Sequence, residues 1–289
     1  IGRVKQVEVN NKIIKDFKKN DVSITIPKNH LIKGTNVVKI DYLNNYDTTG
    51  SGLHYFVDIE DNSEFLYSNF EPYNCHRMLP CFDQPDLKAT YNLTVYSPKD
   101  WTIISNSLEK EVRIKDGKKI TIFNKTKTFS TYLFHVSAGN YQYVSDRFKD
   151  IPLRIFCRPS LMKYLRRDEI FTLTKQGLKF LEDFFEYKYP FEKYDQIFVP
   201  EFNHGAMENV GAITFNDQLI FRHEPTWSGR VALANTILHE MVHMWFGDLV
   251  TMKWWDDLWL NESFADFFSY YTMVKSTRFK DGWQYYNAR

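Results

Sequence analysis

The stretch from His239 to Ser263, HEMVHMWFGDLVTMKWWDDLWLNES, constrains this chain more than any other. It sets two histidines and two glutamates among aromatic and aliphatic residues. His239 and His243 are four apart. At about 3.6 residues per turn a helix puts them on one face, where both imidazoles can reach one ion. Glu240 is next to that face, the position of the general base in an H-E-x-x-H arrangement. A third ligand must come from elsewhere, and Glu262 stands on the next expected helix, in LWLNES. Two neutral imidazoles and one carboxylate leave a fourth position open for water, which is a catalytic rather than a structural zinc design. Zinc acidifies such a water, and Glu240 can take its proton as it attacks a carbonyl. The bland alternative is a buried histidine pair satisfied by Glu262 without metal. That would leave two histidines and two glutamates buried without an ion, which is costly.

The remainder of the chain reads as two unlike halves. Up to residue 148 the pattern is that of strands: ATYNLTVYS alternates, with Tyr91, Leu93 and Val95 on one side. EVRIKDGKKITIF carries Asp116-Gly117 between two alternating runs, a hairpin signal. From Ser160 to Tyr187 apolar residues recur three and four apart, as in one amphipathic helix ended by Tyr189-Pro190. Short strands, YDQIFVPEF and GAITFND, flank a loop holding HGAMENV. A helix is expected from Ser228 to Gly247, and another from near Leu258. The fold class expected is α+β, with a β-rich domain over 1–148 and a catalytic domain over 149–289.

Charge and cysteine usage exclude several partners. Lysine and arginine number 37 against 36 acidic residues, and a net charge of +1 gives no global field for nucleic acid or acidic lipid. No run of about 18 apolar residues of the membrane-spanning kind occurs. The first residues, IGRVKQVEVNN, have neither an initiator Met nor the apolar stretch of a signal peptide, so a chain short at its start is expected. Cys75, Cys81 and Cys157 form an odd, sparse set, which points to a reducing compartment and a cytoplasmic location. Cys75 and Cys81 are too far apart in sequence for a zinc knuckle, so buried, inert thiols are expected.

HEMVHMWFGDLVTMKWWDDLWLNES together with GAMEN at 205–209 resembles the aminopeptidase N family of zinc aminopeptidases. FEPYNCHRMLPCFDQPDLKATY and GLHYFVD look like the N-terminal domain signature of the same family. The resemblance implies a saddle-like β-rich domain followed by the first part of a thermolysin-like catalytic domain. It also implies one Zn2+ per chain on His239, His243 and Glu262, with Glu240 as the catalytic base. Glu208, and Glu71 from the other domain, would bind the free α-amino group of a peptide substrate. Gly205, Ala206, Met207 and Asn209 would complete the substrate-binding segment. Two carboxylates converging on an ammonium form charge-assisted hydrogen bonds, and a site of that kind rewards a free N-terminus. The activity implied is removal of the N-terminal residue from peptides.

The chain departs from the family pattern in places. Asn69 stands where relatives commonly carry Gln, and Val210 replaces a frequent Trp, so the departures fall on details of the pocket rather than on the reaction type. His204 could line the pocket for the first side chain or be an ordinary loop histidine. Trp254, Trp255 and Trp259 are expected in the core. The family's oxyanion-stabilising tyrosine and C-terminal helical domain would follow Arg289. Losing such a donor costs about 10²–10³ in rate, so a weak or inactive peptide-binding fragment is the alternative reading. A thermolysin-like endopeptidase would not need Glu208 or Glu71. A related group hydrolyses a lipid epoxide, but it usually has Gly where this chain has Ala206 and Gln where it has Glu71.

Overall fold

A computed structural model describes residues 2–288. The chain opens with β1 (Arg3–Val9), β2 (Lys12–Ile14), β3 (Lys18–Lys19), β4 (Ile24–Thr25) and β5 (Val38–Leu43). β1 lies antiparallel between β2 and β5, and β3 pairs with β4. Val7, Val9 and Ile14 give this small sheet a core of its own.

Seven strands follow: β6 (Gly52–Val57), β7 (Glu64–Asn69), β8 (Thr94–Pro98), β9 (Thr102–Ser105), β10 (Glu109–Lys115), β11 (Lys118–Phe123) and β12 (Val136–Gly139). They sort into a four-stranded sheet, β6-β7-β12-β9, and a three-stranded one, β10-β11-β8. The hairpin expected at Asp116-Gly117 is present, and both turn residues have positive φ (50° and 73°), as a two-residue turn between twisted strands requires. The alternating run at 89–97 enters a ladder only at Thr94. Ala89 makes a single bridge to Phe129, while Tyr91 and Leu93 pack on the core as the alternation implies.

The second half is built on a five-stranded mixed sheet. Its strands are β13 (Gln142–Phe148), β14 (Ile151–Cys157), β15 (Tyr194–Val199), β16 (Ala206–Met207) and β17 (Ala212–Asn216), in the order β13-β14-β15-β17-β16. β14, β15 and β17 run parallel, and β13 and β16 close the edges antiparallel. All of β15 is buried, and its two polar residues are bonded: Asp195 to Arg154 and Lys193, and Gln196 to Thr174. The sheet starts at Gln142, and the boundary expected at 148 falls in the β13–β14 hairpin turn. One continuous apolar cluster, from Phe65 to Phe279, runs through both halves.

Five helices accompany the sheet: α1 (Pro159–Met162), α2 (Arg167–Phe184), α3 (Trp227–His243), α4 (Trp259–Ser276) and α5 (Gly282–Asn287). The single helix expected over 160–187 is two, broken over residues 163–166, where Arg166 leaves the helical region (ψ 59°) and its guanidinium pairs with Glu224. α2 stops at Phe184, before Tyr189-Pro190. Glu186 takes the left-handed position (φ 52°), and the Tyr187 amide bonds back to the Glu182 carbonyl. Gly177 of α2 faces α3 so closely that a Cβ there would stand 2.5 Å from Leu238 and 2.7 Å from Met241. Its bare backbone lets α2 press the helix that carries His239 and His243 into place.

Candidate active site

α3 starts two residues earlier than its expected Ser228 cap. Thr226 is the cap, and its hydroxyl accepts from the Gly229 amide at 3.1 Å. The helix ends at His243 rather than at Gly247, which instead bonds across a tight loop to the Val250 carbonyl. Nearly every α3 side chain from Leu233 onward is buried, and Asn235 bonds Ser269 of α4 at 2.7 Å. The two helices are therefore fixed against each other, and Glu262 in the first turn of α4 faces His239 and His243.

The three groups converge. His239 Nε2 and His243 Nε2 are 3.1 Å apart, and the Glu262 carboxylate oxygens stand 3.3 Å from the first and 3.6 Å from the second. Metal–ligand bonds of about 2.0–2.1 Å in a tetrahedron separate the ligands by about 3.3 Å, so these spacings suit one zinc-sized ion. His243 Nδ1 lies 3.0 Å from the Phe246 carbonyl and must donate to it, which leaves the Nε2 lone pair facing the cradle. Burial lowers the pKa of both histidines and keeps them neutral. Burial works against the charge on Glu262, but its bond to His239 and the neighbouring imidazoles hold it below the ordinary carboxylate value.

Three further carboxyls crowd the same space. Glu71, Glu208 and Glu262 offer oxygens within 4.8 Å of one another, and so do Glu208, Glu240 and a nitrogen of His243. Burial, then the charges of Glu208 and Glu262, raise Glu71 well above the ordinary range. Glu208 is pushed up to about 8, by burial first and then by Glu262. Glu240 is raised well above its usual value by burial and by Glu208, Glu262, Glu71 and Asp248. Glu208 Oε1 and Glu240 Oε2 have no hydrogen-bond partner among the described residues. Acids packed so closely without a counter-charge raise one another's pKa, and such a cluster in a buried site is a candidate functional centre.

The GAMEN segment lies along the sheet edge. Ala206 and Met207 form β16 and pair with Phe215 and Thr214, while the Asn216 amide bonds the Gly205 carbonyl. A Cβ on Gly205 would meet nothing within 4 Å, so open space rather than packing adjoins it. Met207 and Asn209 turn inward: Met207 is buried, and the Asn209 amide donates to Thr214 Oγ1 at 2.9 Å. Asn69 donates to the Gly50 carbonyl, with its Oδ1 left unpaired. His204 is exposed and meets Phe202 edge-on.

Several expectations need correction. Trp254 and Trp259 are 48% and 56% exposed, not core residues; the Trp259 indole bonds Asp257 at the start of α4. Trp255 alone of the three packs inward, edge-on to Tyr132. Cys75 and Cys157 are buried, but Cys81 is half-buried, and with Asp83 it comes within 4.8 Å of Cys75. Asp83 already accepts from the His76 amide and ring and from Thr131, so its carboxylate anchors that turn. Sequence reasoning missed Tyr132, whose buried hydroxyl accepts from Asn261, the residue before Glu262. It also missed Asp248, whose two buried oxygens lack a hydrogen-bond partner among the described residues. Neither belongs to a pattern with a recognisable period or spacing. Cavities of about 540 Å³, beside Ile24 and Cys81, and about 830 Å³, beside Arg167 and Arg230, contain none of these site residues.

An α+β scaffold that brings two histidines and four glutamates to one point narrows the class, and comparison with known sequences gives it. Residues 2–133 match the Peptidase M1 N-terminal domain and residues 170–289 match the Peptidase family M1 domain. The chain belongs to peptidase family M1. Among its relatives is aminopeptidase N of Streptomyces lividans, 47% identical over 251 residues, which are 86% of this chain and 29% of the relative. The Tricorn protease-interacting factor F2 of Thermoplasma acidophilum is 38% identical over 82% of this chain and 30% of its own length. Aminopeptidase 2, mitochondrial, of Saccharomyces cerevisiae is 40% identical over 71% of this chain and 22% of its own length. The chain thus spans less than a third of each of these relatives. No helix among the described residues is long and apolar enough to cross a membrane.

Proposed function

We propose that this chain carries the substrate-binding and metal-binding core of a zinc aminopeptidase, which removes the N-terminal residue of peptides with a free amino group. The observation that carries the reading is the convergence of Glu71 and Glu208, from the two halves, on the cradle residue Glu262 within 4.8 Å. Zinc on His239, His243 and Glu262, one ion per chain, supplies Lewis acidity toward a carbonyl and a water beside it. Glu208 and Glu71 receive the α-ammonium of the substrate through charge-assisted bonds. An anchor on the free amine fixes which peptide bond lies beside the metal cradle. Gly205 and Ala206 offer a sheet edge along which the substrate backbone can lie. Glu240, with Oε2 unpaired, accepts the proton of the attacking water and delivers it to the leaving amine. Three free thiols suit the cytoplasmic setting expected from their number.

The test is hydrolysis of a neutral aminoacyl amide beside its N-acetylated twin, with and without a chelator. Chelator-sensitive cleavage of the free amine alone is the expected result. Equal cleavage of both would remove the amine-anchor role of Glu71 and Glu208 and leave an endopeptidase.

A further inference from the structure

The acid cluster works as an exopeptidase site only if Glu208 stands at a fixed distance from Glu262, and those residues lie on different elements. Glu208 sits in the turn between β16 and β17, and Glu262 is on α4. The two are not hydrogen-bonded to each other, so some other part of the molecule must set the spacing. The side chain placed to do so is Asn106, just beyond β9 in the β-rich half and 3% exposed.

Every hydrogen-bonding group of the Asn106 amide is used. Nδ2 donates to the Val210 carbonyl and to the Leu133 carbonyl, each at 2.9 Å, and Oδ1 accepts from the His135 amide at 2.7 Å. Val210 is two residues past Glu208, so the first bond pins the chain as it leaves the anchor. The other two pin the segment around Tyr132, whose hydroxyl accepts from Asn261 Nδ2 at 3.2 Å, next to Glu262. One amide therefore ties the Glu208 turn to the segment that touches the start of α4.

The far side of the turn is held as firmly. The buried Lys193 ammonium donates to the Gly211 carbonyl at 2.8 Å. Gly211 has φ +62°, and a Cβ there would stand 3.1 Å from the backbone carbonyl oxygens of both Asn106 and Lys193. The turn is seated directly on the Asn106 backbone, with no room for a side chain between them.

We infer that Asn106 is a positioning residue for the amine anchor, holding Glu208 at its working distance from Glu262. This rests on the reading of Glu208 as the amine ligand. It gives the β-rich half a second part in the site, beyond contributing Glu71.

The experiment compares Asn106→Asp, Gly211→Ala and Ser105→Ala with the unaltered zinc-loaded protein. Asn106→Asp keeps the acceptor for His135 but loses both donors. Ser105→Ala is the control: its hydroxyl bonds the His135 carbonyl at 2.7 Å, on the same segment, without touching the Glu208 turn. Displacing a reacting group by about 1 Å costs up to ~100-fold. KM for a free-amine amide should therefore rise about 10- to 100-fold in Asn106→Asp and Gly211→Ala, with kcat and zinc content little changed. Amide exchange across residues 207–211 should quicken at least ~10-fold in both variants, and neither property should move in Ser105→Ala. Unaltered exchange at 207–211 in Asn106→Asp would overturn the inference, as would a KM increase in Ser105→Ala equal to that of Asn106→Asp. If Glu208→Gln leaves KM and free-amine preference untouched, the anchor reading falls instead, while the exchange result still decides whether Asn106 holds the turn.

Discussion

Two groups of charges in this molecule are treated in opposite ways. In the first, every charge is paired. Arg158 bonds Asp58 at 2.6 Å and Asp217 at 2.8 Å. Arg154 grips Asp195 with two bonds and Glu109 with two more, and Lys193 completes that set at 2.6 Å from Asp195. Both networks join the β-rich half to the sheet that follows. In the second group, Glu71, Glu208 and Glu240 share one pocket with no Lys or Arg paired to them among the described residues. Paired buried charge fixes how two parts of a chain meet, and removing one partner is what costs stability. Unpaired buried acid costs stability as it stands, and marks a candidate functional site. The contrast separates scaffold from site without reference to sequence motifs.

The largest effect should come from the site. Glu240→Gln keeps the shape but cannot accept a proton, so kcat should fall about 10²–10⁴-fold with zinc content unchanged, read by steady-state kinetics and metal analysis. A loss below tenfold would remove Glu240 from the role of base. The scaffold should answer in stability instead. Arg158→Met leaves Asp58 and Asp217 without their cation, and urea unfolding should show a loss of about 3–5 kcal/mol. If unfolding is unchanged, the paired networks are not what joins the halves.

The sharpest form of the comparison is a change of sign. Glu208, pushed up to about 8 from 4.5, holds in the folded state a proton that the unfolded chain has lost. Its contribution is thus complete below pH 4.5 and lost as pH rises towards 8. In metal-free protein at pH 8, Glu208→Gln should therefore be stabilising relative to its standing at pH 4.5, by about 4 kcal/mol. Loss of stability in both Glu208→Gln and Arg158→Met would erase the distinction.

The smallest effect concerns His135, fully buried beside Ser137, its pKa lowered from 6.5 to about 3 by burial and by Lys193. Here the unfolded chain binds the extra proton, so stability is complete above pH 6.5 and falls as pH drops towards 3. His135→Gln should remove that slope, which amounts to about 1 kcal/mol one unit below the unfolded value. Parallel pH profiles for the two proteins would contradict a buried neutral His135.

The comparison also explains what the sequence made legible. His239 and His243 could be read because helical periodicity puts them on one face, Glu240 because it follows His239 in the H-E-x-x-H spacing, and Glu262 because its helix follows so soon. The hairpin at Asp116-Gly117 was legible because both residues tolerate positive φ. The end of α2 was not, because Glu186 takes a left-handed position that glycine usually holds. The break between α1 and α2 was not legible either: the apolar spacing continues through residues 163–166, where the helix is interrupted, and Arg166 there pairs with Glu224, 58 residues away. Glu71 and Glu208 came from resemblance, since a lone acid in a loop carries no period. Asn106 and Tyr132 were invisible for the same reason: their roles are bonds to backbone and amide groups distant in sequence.

The most direct test of the metal cradle on His239, His243 and Glu262, beside which those acids converge, is calorimetric titration of zinc into the metal-free protein. One ion per chain is expected, with affinity lowered at least ~10-fold in Glu262→Gln and binding abolished in His243→Ala. No binding, or binding indifferent to both substitutions, would contradict the account.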